Sequence, residues 1–177
     1  MGNLGITKSG AAAESLLCEM TNNITKNEDK SSQGLSKGDN YFDNGEHEFA
    51  IEVKTNTWNQ TRPYKYLVVV GFLTDTKEWI VVPPNVVASW ASERNGQHCA
   101  NSFECVGLGR PSRGKEKETR WDPYFVKPQD LEQKIVDAYL SGERDTKVKN
   151  FCHNVATEIE KTAKNFRENY AKMMEEQ

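Results

Sequence analysis

The chain has 177 residues, 36% hydrophobic and 28% charged, with a formal net charge of −3 and a mean hydropathy of −0.78. That is the size of one domain with an appended helix or two, and it is mildly too acidic for a protein that merely coats nucleic acid. A spanning helix is excluded, because the longest apolar run, Tyr66 to Leu73, is far short of about 18 residues.

Taken in chain order, residues 10–22 predict a helix. Ser9 serves as N-cap, Ala11, Ala12 and Ala13 are strong formers, and Leu16, Leu17 and Met20 share one side. Residues 21–37 are polar and read as loop or a short edge strand. Asp39–Phe42 and His47–Thr55 then flank Asp43-Asn44-Gly45-Glu46, and Asn-Gly between apolar-containing runs predicts a hairpin. A second hairpin pairs Tyr66–Leu73 with Glu78–Val82 across the turn 74–77. Pro83-Pro84 stops it and starts a helix through about Arg94. Ser102–Leu108 is a candidate last strand, and Gly107–Pro128 reads as a long exposed loop.

Two helices follow, about 129–140 and 144–174, separated by Ser141-Gly142. In the second, Val148, Cys152, Val155, Ile159, Ala163, Phe166, Tyr170 and Met173 form a stripe at steps of three and four. It suits either packing on its own domain or a seam between subunits. These elements predict an α/β fold: a mixed, mostly antiparallel central sheet flanked by helices, with a C-terminal helical extension. Residues 1–127 form the core, with a basic loop at 107–127. Residues 128–177 form the extension, a candidate oligomerisation element.

The opening Met1-Gly2-Asn3-Leu4-Gly5 lacks the basic and apolar regions of a signal peptide. The expectation is therefore a cytoplasmic protein without membrane contact, whose cysteines, Cys18, Cys99, Cys105 and Cys152, are reduced thiols. Their irregular spacing does not match paired zinc knuckles.

The acid-x-Lys pattern begins at Glu28, Glu52, Asp75, Glu132 and Asp145, so by itself it proves nothing. Glu52-Val53-Lys54 stands apart by context. Period-two alternation sets Phe49, Ile51 and Val53 on one face of a strand and Ala50, Glu52 and Lys54 on the other. With a two-residue Asn44-Gly45 turn, Asp39 opposes Ala50 and lies diagonal to Glu52, within reach of a common ion. Two carboxylates beside an ammonium are costly without compensation, and a hard divalent cation such as Mg²⁺ provides it. An exposed hairpin carrying a weak surface pair is the other reading.

Three elements in order resemble the PD-(D/E)XK nuclease superfamily, most closely its archaeal-type Holliday-junction resolvases. They are Lys8-Ser9-Gly10-Ala11-Ala12-Ala13-Glu14, Ser36-Lys37-Gly38-Asp39 and Ala50-Ile51-Glu52-Val53-Lys54-Thr55. The match spans residues 8–55, with Gly38 where the family motif has proline. After Lys54 the similarity to resolvases fades, and the compact size and insertion suit a restriction or intron-homing endonuclease at least as well.

The resemblance implies a restriction-endonuclease-like core and Mg²⁺-dependent hydrolysis of DNA, with Mn²⁺ able to substitute. Asp39, Glu52 and the Val53 carbonyl would hold the metal, and Glu14 would ligate it through water or hold a second one. Lys54 would orient the attacking water. Products with 5′-phosphate and 3′-hydroxyl ends follow, and the partners are double-stranded or branched DNA and a second copy of the chain. In this setting Gln60, Arg62 and Lys65 after the catalytic strand, and Arg110, Arg113, Lys115, Lys117 and Arg120 in the basic loop, become candidate DNA contacts, with Trp121 or Tyr124 stacking on bases. A non-catalytic DNA-binding protein on the same fold is the reading from another class.

Overall fold

The computed structural model describes residues 10–28, 38–93, 98–99 and 102–175. The expected cap at Ser9, the motif residues Lys8, Ser36 and Lys37, and the helix end at Arg94 lie outside the described residues. Helix α1 (Gly10–Met20) leads to β1 (Ile24–Lys26), β2 (Asn40–Asp43), β3 (Glu48–Thr55), β4 (Val68–Leu73) and β5 (Glu78–Val82). Helix α2 (Pro84–Ser92), β6 (His98–Cys99), β7 (Ser102–Val106), β8 (Phe125–Val126), α3 (Leu131–Glu143) and α4 (Thr146–Glu175) complete the chain. The six-stranded sheet runs β1-β2-β3-β4-β5-β8, and β6 and β7 pair separately. Every pairing in the larger sheet is antiparallel except β3 with β4. The expected mixed α/β architecture, with its mostly antiparallel sheet and C-terminal helix, is present.

Strand β4 is buried along its whole length, as an apolar run sandwiched between two helical layers should be. On one face, Phe49, Ile51, Val53, Val68, Val70, Phe72, Trp79 and Val81 pack with Ala13 and Leu17 of α1 and with Leu131, Ile135 and Ala138 of α3. On the other, Val69, Leu73, Ile80 and Val82 pack with Val87, Trp90 and Ala91 of α2 and with Trp58, Val106, Leu108 and Trp121. Glu52 and Lys54, by alternation, belong to this second face.

The parallel pairing of β3 with β4 needs a crossover, and residues 56–67 supply it. It is tied to the chain around β7: Trp58 N–H donates to the Gly109 carbonyl at 2.7 Å, and Thr61 and Val106 exchange bonds of 3.0 and 2.8 Å. The segment 107–128 is exposed over most of 110–120, as expected of a loop, but it is anchored at both ends of that stretch. Leu108 and Trp121 are buried, with Trp121 edge-on to both Trp58 (5.0 Å) and Trp90 (4.6 Å).

The first hairpin closes with a longer loop than Asn-Gly alone predicts. Asp43 pairs with Glu48 and Asn40 with Ile51, a shift of two from the expected register that leaves the faces unchanged. The cause is side-chain capture of the turn. Asp43 Oδ1 accepts the Gly45 N–H (2.8 Å), and Asn44 Oδ1 accepts those of Glu46 and His47 (3.0 and 2.8 Å).

Helix α3 also runs through Ser141-Gly142 and ends at Glu143. Gly142 is in close contact there, since a Cβ would lie 2.9 Å from the Tyr66 hydroxyl and 3.1 Å from Pro84 Cδ. The break falls one turn later, where Asp145 Oδ1 accepts the Val148 N–H at 3.2 Å and starts α4. In α4 the apolar stripe divides. Cys152 is buried and Ile159 half-buried, whereas Phe166, Tyr170 and Met173 are exposed.

Trp58 lies flat on β4 because residue 71 is glycine: a Cβ there would sit 2.7 Å from Trp58 Cζ2. Gly71→Ala is expected to lower stability by about 1–3 kcal/mol through overpacking. Urea denaturation checks this, as a lower midpoint at unchanged slope.

Candidate active site

The site forms where β2 stops and β3 continues. Gly38 has φ +79°, and a Cβ on it would meet the Ile51 carbonyl oxygen at 2.5 Å. Only glycine suits that conformation, and a proline, fixed near −65°, cannot adopt it. The departure from the family's proline thus has a backbone cause. The turn aims the Asp39 main-chain N–H at the Ile51 carbonyl (2.8 Å) and its Oδ2 at the Val53 N–H (2.8 Å). The carboxylate takes the hydrogen bond that the next residue pair of a longer β2 would have made. Asp39 precedes the last β2–β3 pair, Asn40 with Ile51, and its carboxylate reaches β3 at Val53, next to Glu52, rather than at Ala50. The N–H and C=O of one strand residue point to the same side, so the Val53 carbonyl also faces the Asp39 side.

Glu52 is 2% exposed. Its Oε1 accepts from Lys54 Nζ at 2.5 Å and its Oε2 lies 3.4 Å from Arg62 Nη1. Burial pushes the Glu52 carboxyl above its ordinary 4.5. The two cations oppose the rise, and the negative charge of Asp39 adds to it.

Glu14 is not drawn into this group. Its Oε2 pairs with Lys26 of β1 at 3.1 Å, on the sheet face that α1 covers, and its carbonyl accepts from the buried Asn40 at 3.1 Å. Among the described residues, no three His, Cys, Asp or Glu side chains form a metal-holding group. The donor set at the end of β2 is therefore two carboxylates and one carbonyl. It fits Mg²⁺, which takes one or two carboxylates and completes its shell with water and phosphate oxygens.

The expected DNA contacts fall into distinct environments. Arg62 sits on Glu52, a role the sequence did not signal, since nothing marks an arginine eight positions past Lys54 as its neighbour. Gln60 is exposed at positive φ, and Lys65 pairs with Glu160 of α4. In the basic loop, Arg110 pairs with Asp75 (2.5 Å) and Arg113 with Glu78 (2.6 Å), the latter also lying over Phe125 at 4.1 Å. Arg120 spans Trp90 and Trp121 and donates to the Leu108 carbonyl at 2.9 Å. Lys115 and Lys117 are exposed at the loop tip, which Asp122 closes by accepting the N–H groups of Gly114 and Thr119. Trp121 is buried and does not present a face for stacking.

No family model and no curated protein matches the chain. A solved structure, that of the bacterial homing endonuclease I-Ssp6803I, is similar at 14% identity with a TM-score of 0.44, covering 82% of this chain and all of that one. No helix among the described residues is long and apolar enough to cross a membrane.

The raised Glu52 carboxyl has a stability consequence. The folded state holds a proton there that the unfolded state releases, so this site's unfavourable contribution sets in as pH rises from 4.5 through the folded value. Glu52→Gln is expected to raise the melting temperature of the metal-free protein near neutral pH. The gain should shrink as pH falls toward 4.5, which a pH series of thermal melts measures.

Proposed function

We propose that the protein is a divalent-metal-dependent endonuclease that hydrolyses phosphodiester bonds in duplex DNA, sequence-specifically as restriction and intron-homing enzymes do. The observation that carries this reading is the end of β2. Asp39 is anchored on Val53, the neighbour of Glu52, whose buried carboxylate is shared by Lys54. Binding DNA requires none of these three residues, and two carboxylates repel its phosphates. Their concentration at one strand end is therefore explained by chemistry rather than by adhesion.

Asp39, Glu52 and the Val53 carbonyl would hold Mg²⁺, or Mn²⁺ in its place. There the ion supplies Lewis-acid stabilisation of phosphate charge and a more acidic water. The side chains do the rest. Lys54 carries three donors, one of them engaged by Glu52, so it can also orient the attacking water or hold a non-bridging phosphate oxygen. Arg62 offsets the charge of Glu52 as a polyanion approaches. Water adds to phosphorus and the bond to the 3′ oxygen breaks, leaving a 5′-phosphate and a 3′-hydroxyl.

A homodimer belongs with this reading, because cutting both strands takes two centres related by symmetry. The exposed Phe166, Tyr170 and Met173 give α4 an apolar strip that a second copy can cover.

Supercoiled plasmid should be nicked and linearised in Mg²⁺ and left intact in EDTA. Lys54→Ala and Asp39→Asn should each lower the rate by at least about 100-fold with unchanged far-UV circular dichroism. Mn²⁺ should raise the melting temperature of the wild-type protein but not of Asp39→Asn. An intact plasmid in every condition would leave only the non-catalytic reading, and a strong preference for four-way junctions over linear duplex would favour a resolvase. Phe166→Glu combined with Tyr170→Glu is expected to shift the sedimentation coefficient from dimer to monomer.

A further inference from the structure

Beside the candidate active site lies a cleft of about 390 Å³ whose walls are the crossover segment Tyr64–Tyr66 and the opening turns of α4. Its polar lining comes from both walls: Lys65 and Tyr64 on one side, Lys149, Asn150, His153 and Glu160 on the other. Lys149 Nζ stands 5.2 Å from the Tyr66 ring centre. Lys149 pairs with Glu143 and Lys65 with Glu160, whose side chains are 35% and 55% exposed. Glu160 itself lines the cleft and Glu143 is less exposed than Lys149, so both acids stay beside the lysines, yet each ammonium keeps donors beyond its ion pair. The cleft thus sets two ammonium groups, an imidazole, an amide and a phenol around the Glu160 carboxylate, donors that an anionic, oxygen-rich group can take over from that acid.

Its position names that group. The Lys65 N–H bonds back to the Arg62 carbonyl at 3.4 Å, so one turn places Arg62 on Glu52 and Lys65 in the cleft. Three residues span at most about 10 Å, and a DNA strand advances about 3.4 Å per phosphate along the helix axis. A strand with one phosphate at Asp39 and Glu52 can therefore reach Lys65 within about three nucleotides.

We infer that this cleft is a second phosphate site, in which Lys149, Asn150 and His153 of α4, facing Lys65, grip the sugar–phosphate backbone of the strand being cut. The inference rests on the nuclease reading of the Asp39–Glu52 site and extends the DNA path onto α4, which that reading does not use.

The test measures binding of a fluorescein-labelled, random-sequence duplex by anisotropy, in EDTA so that no strand is cut, across a salt series. Lys149→Ala and His153→Glu are compared with Lys161→Glu, an exposed change on the same helix outside the cleft. Each cleft variant is expected to weaken binding about fivefold or more and to reduce the slope of log K against log salt by about one. Lys161→Glu should stay within about twofold, since a charge outside the contact acts only through the screened general field. Because His153 is exposed, His153→Glu retains the fold and decides the matter if Lys149→Ala melts early. If wild type binds and cuts DNA while His153→Glu behaves like Lys161→Glu, the cleft inference is wrong and the nuclease reading stands. If wild type neither binds nor cuts DNA, the nuclease reading falls and the inference goes with it.

Discussion

The structure turns on one buried carboxylate. Glu52 sits in the face of a central strand, almost without solvent, against Lys54 and Arg62 and within the field of Asp39. Taking an anion out of water costs several kcal/mol after relaxation, and the neighbouring acid adds to that cost. A fold selected for stability alone would place a valine at this position, as β4 does beside it at Val69. Retaining an acid there costs stability, as the role proposed for Glu52 would require.

The surrounding backbone is arranged to leave that carboxylate a second acid beside it. Had β2 run two residues further back along β3, main-chain hydrogen bonds would have filled the space beside Val53. Instead the positive φ of Gly38 turns the chain out of the ladder, and a side chain completes what the backbone leaves open. The two acids thereby share one strand end without lying on one strand. The tie of Asn40 to α1 and the crossover's bonds to Gly109 and Val106 hold both sides of the site in place.

Much of this was legible in the residues. Alternation along Phe49–Lys54 assigned Glu52 and Lys54 to one face, and the apolar run before Thr74 with its return at Glu78–Val82 gave the second hairpin. What stayed hidden depended on tertiary contact. The hairpin register slipped by two because Asp43 and Asn44 captured the turn amides, a choice that Asn-Gly statistics do not reveal. Helix α3 continued through Gly142 because Tyr66 and Pro84 press on it, whereas composition alone reads a break. The segment after Gly107 looked like a solvated loop, yet Leu108 and Trp121 close the second core. Glu14, which the resemblance placed among metal ligands, pairs instead with Lys26 on the sheet face that α1 covers.

The indole cluster behind the site has a spectroscopic consequence. Trp58, Trp121 and Trp90 stand in succession at 5.0 and 4.6 Å with steep mutual tilts, and the first of them is pressed against Gly71, the register partner of Lys54. Transition dipoles at such separations couple, so the near-ultraviolet dichroism of this layer depends on its rigidity. Native emission and ellipticity therefore serve as a built-in gauge of order next to β3, without any attached label.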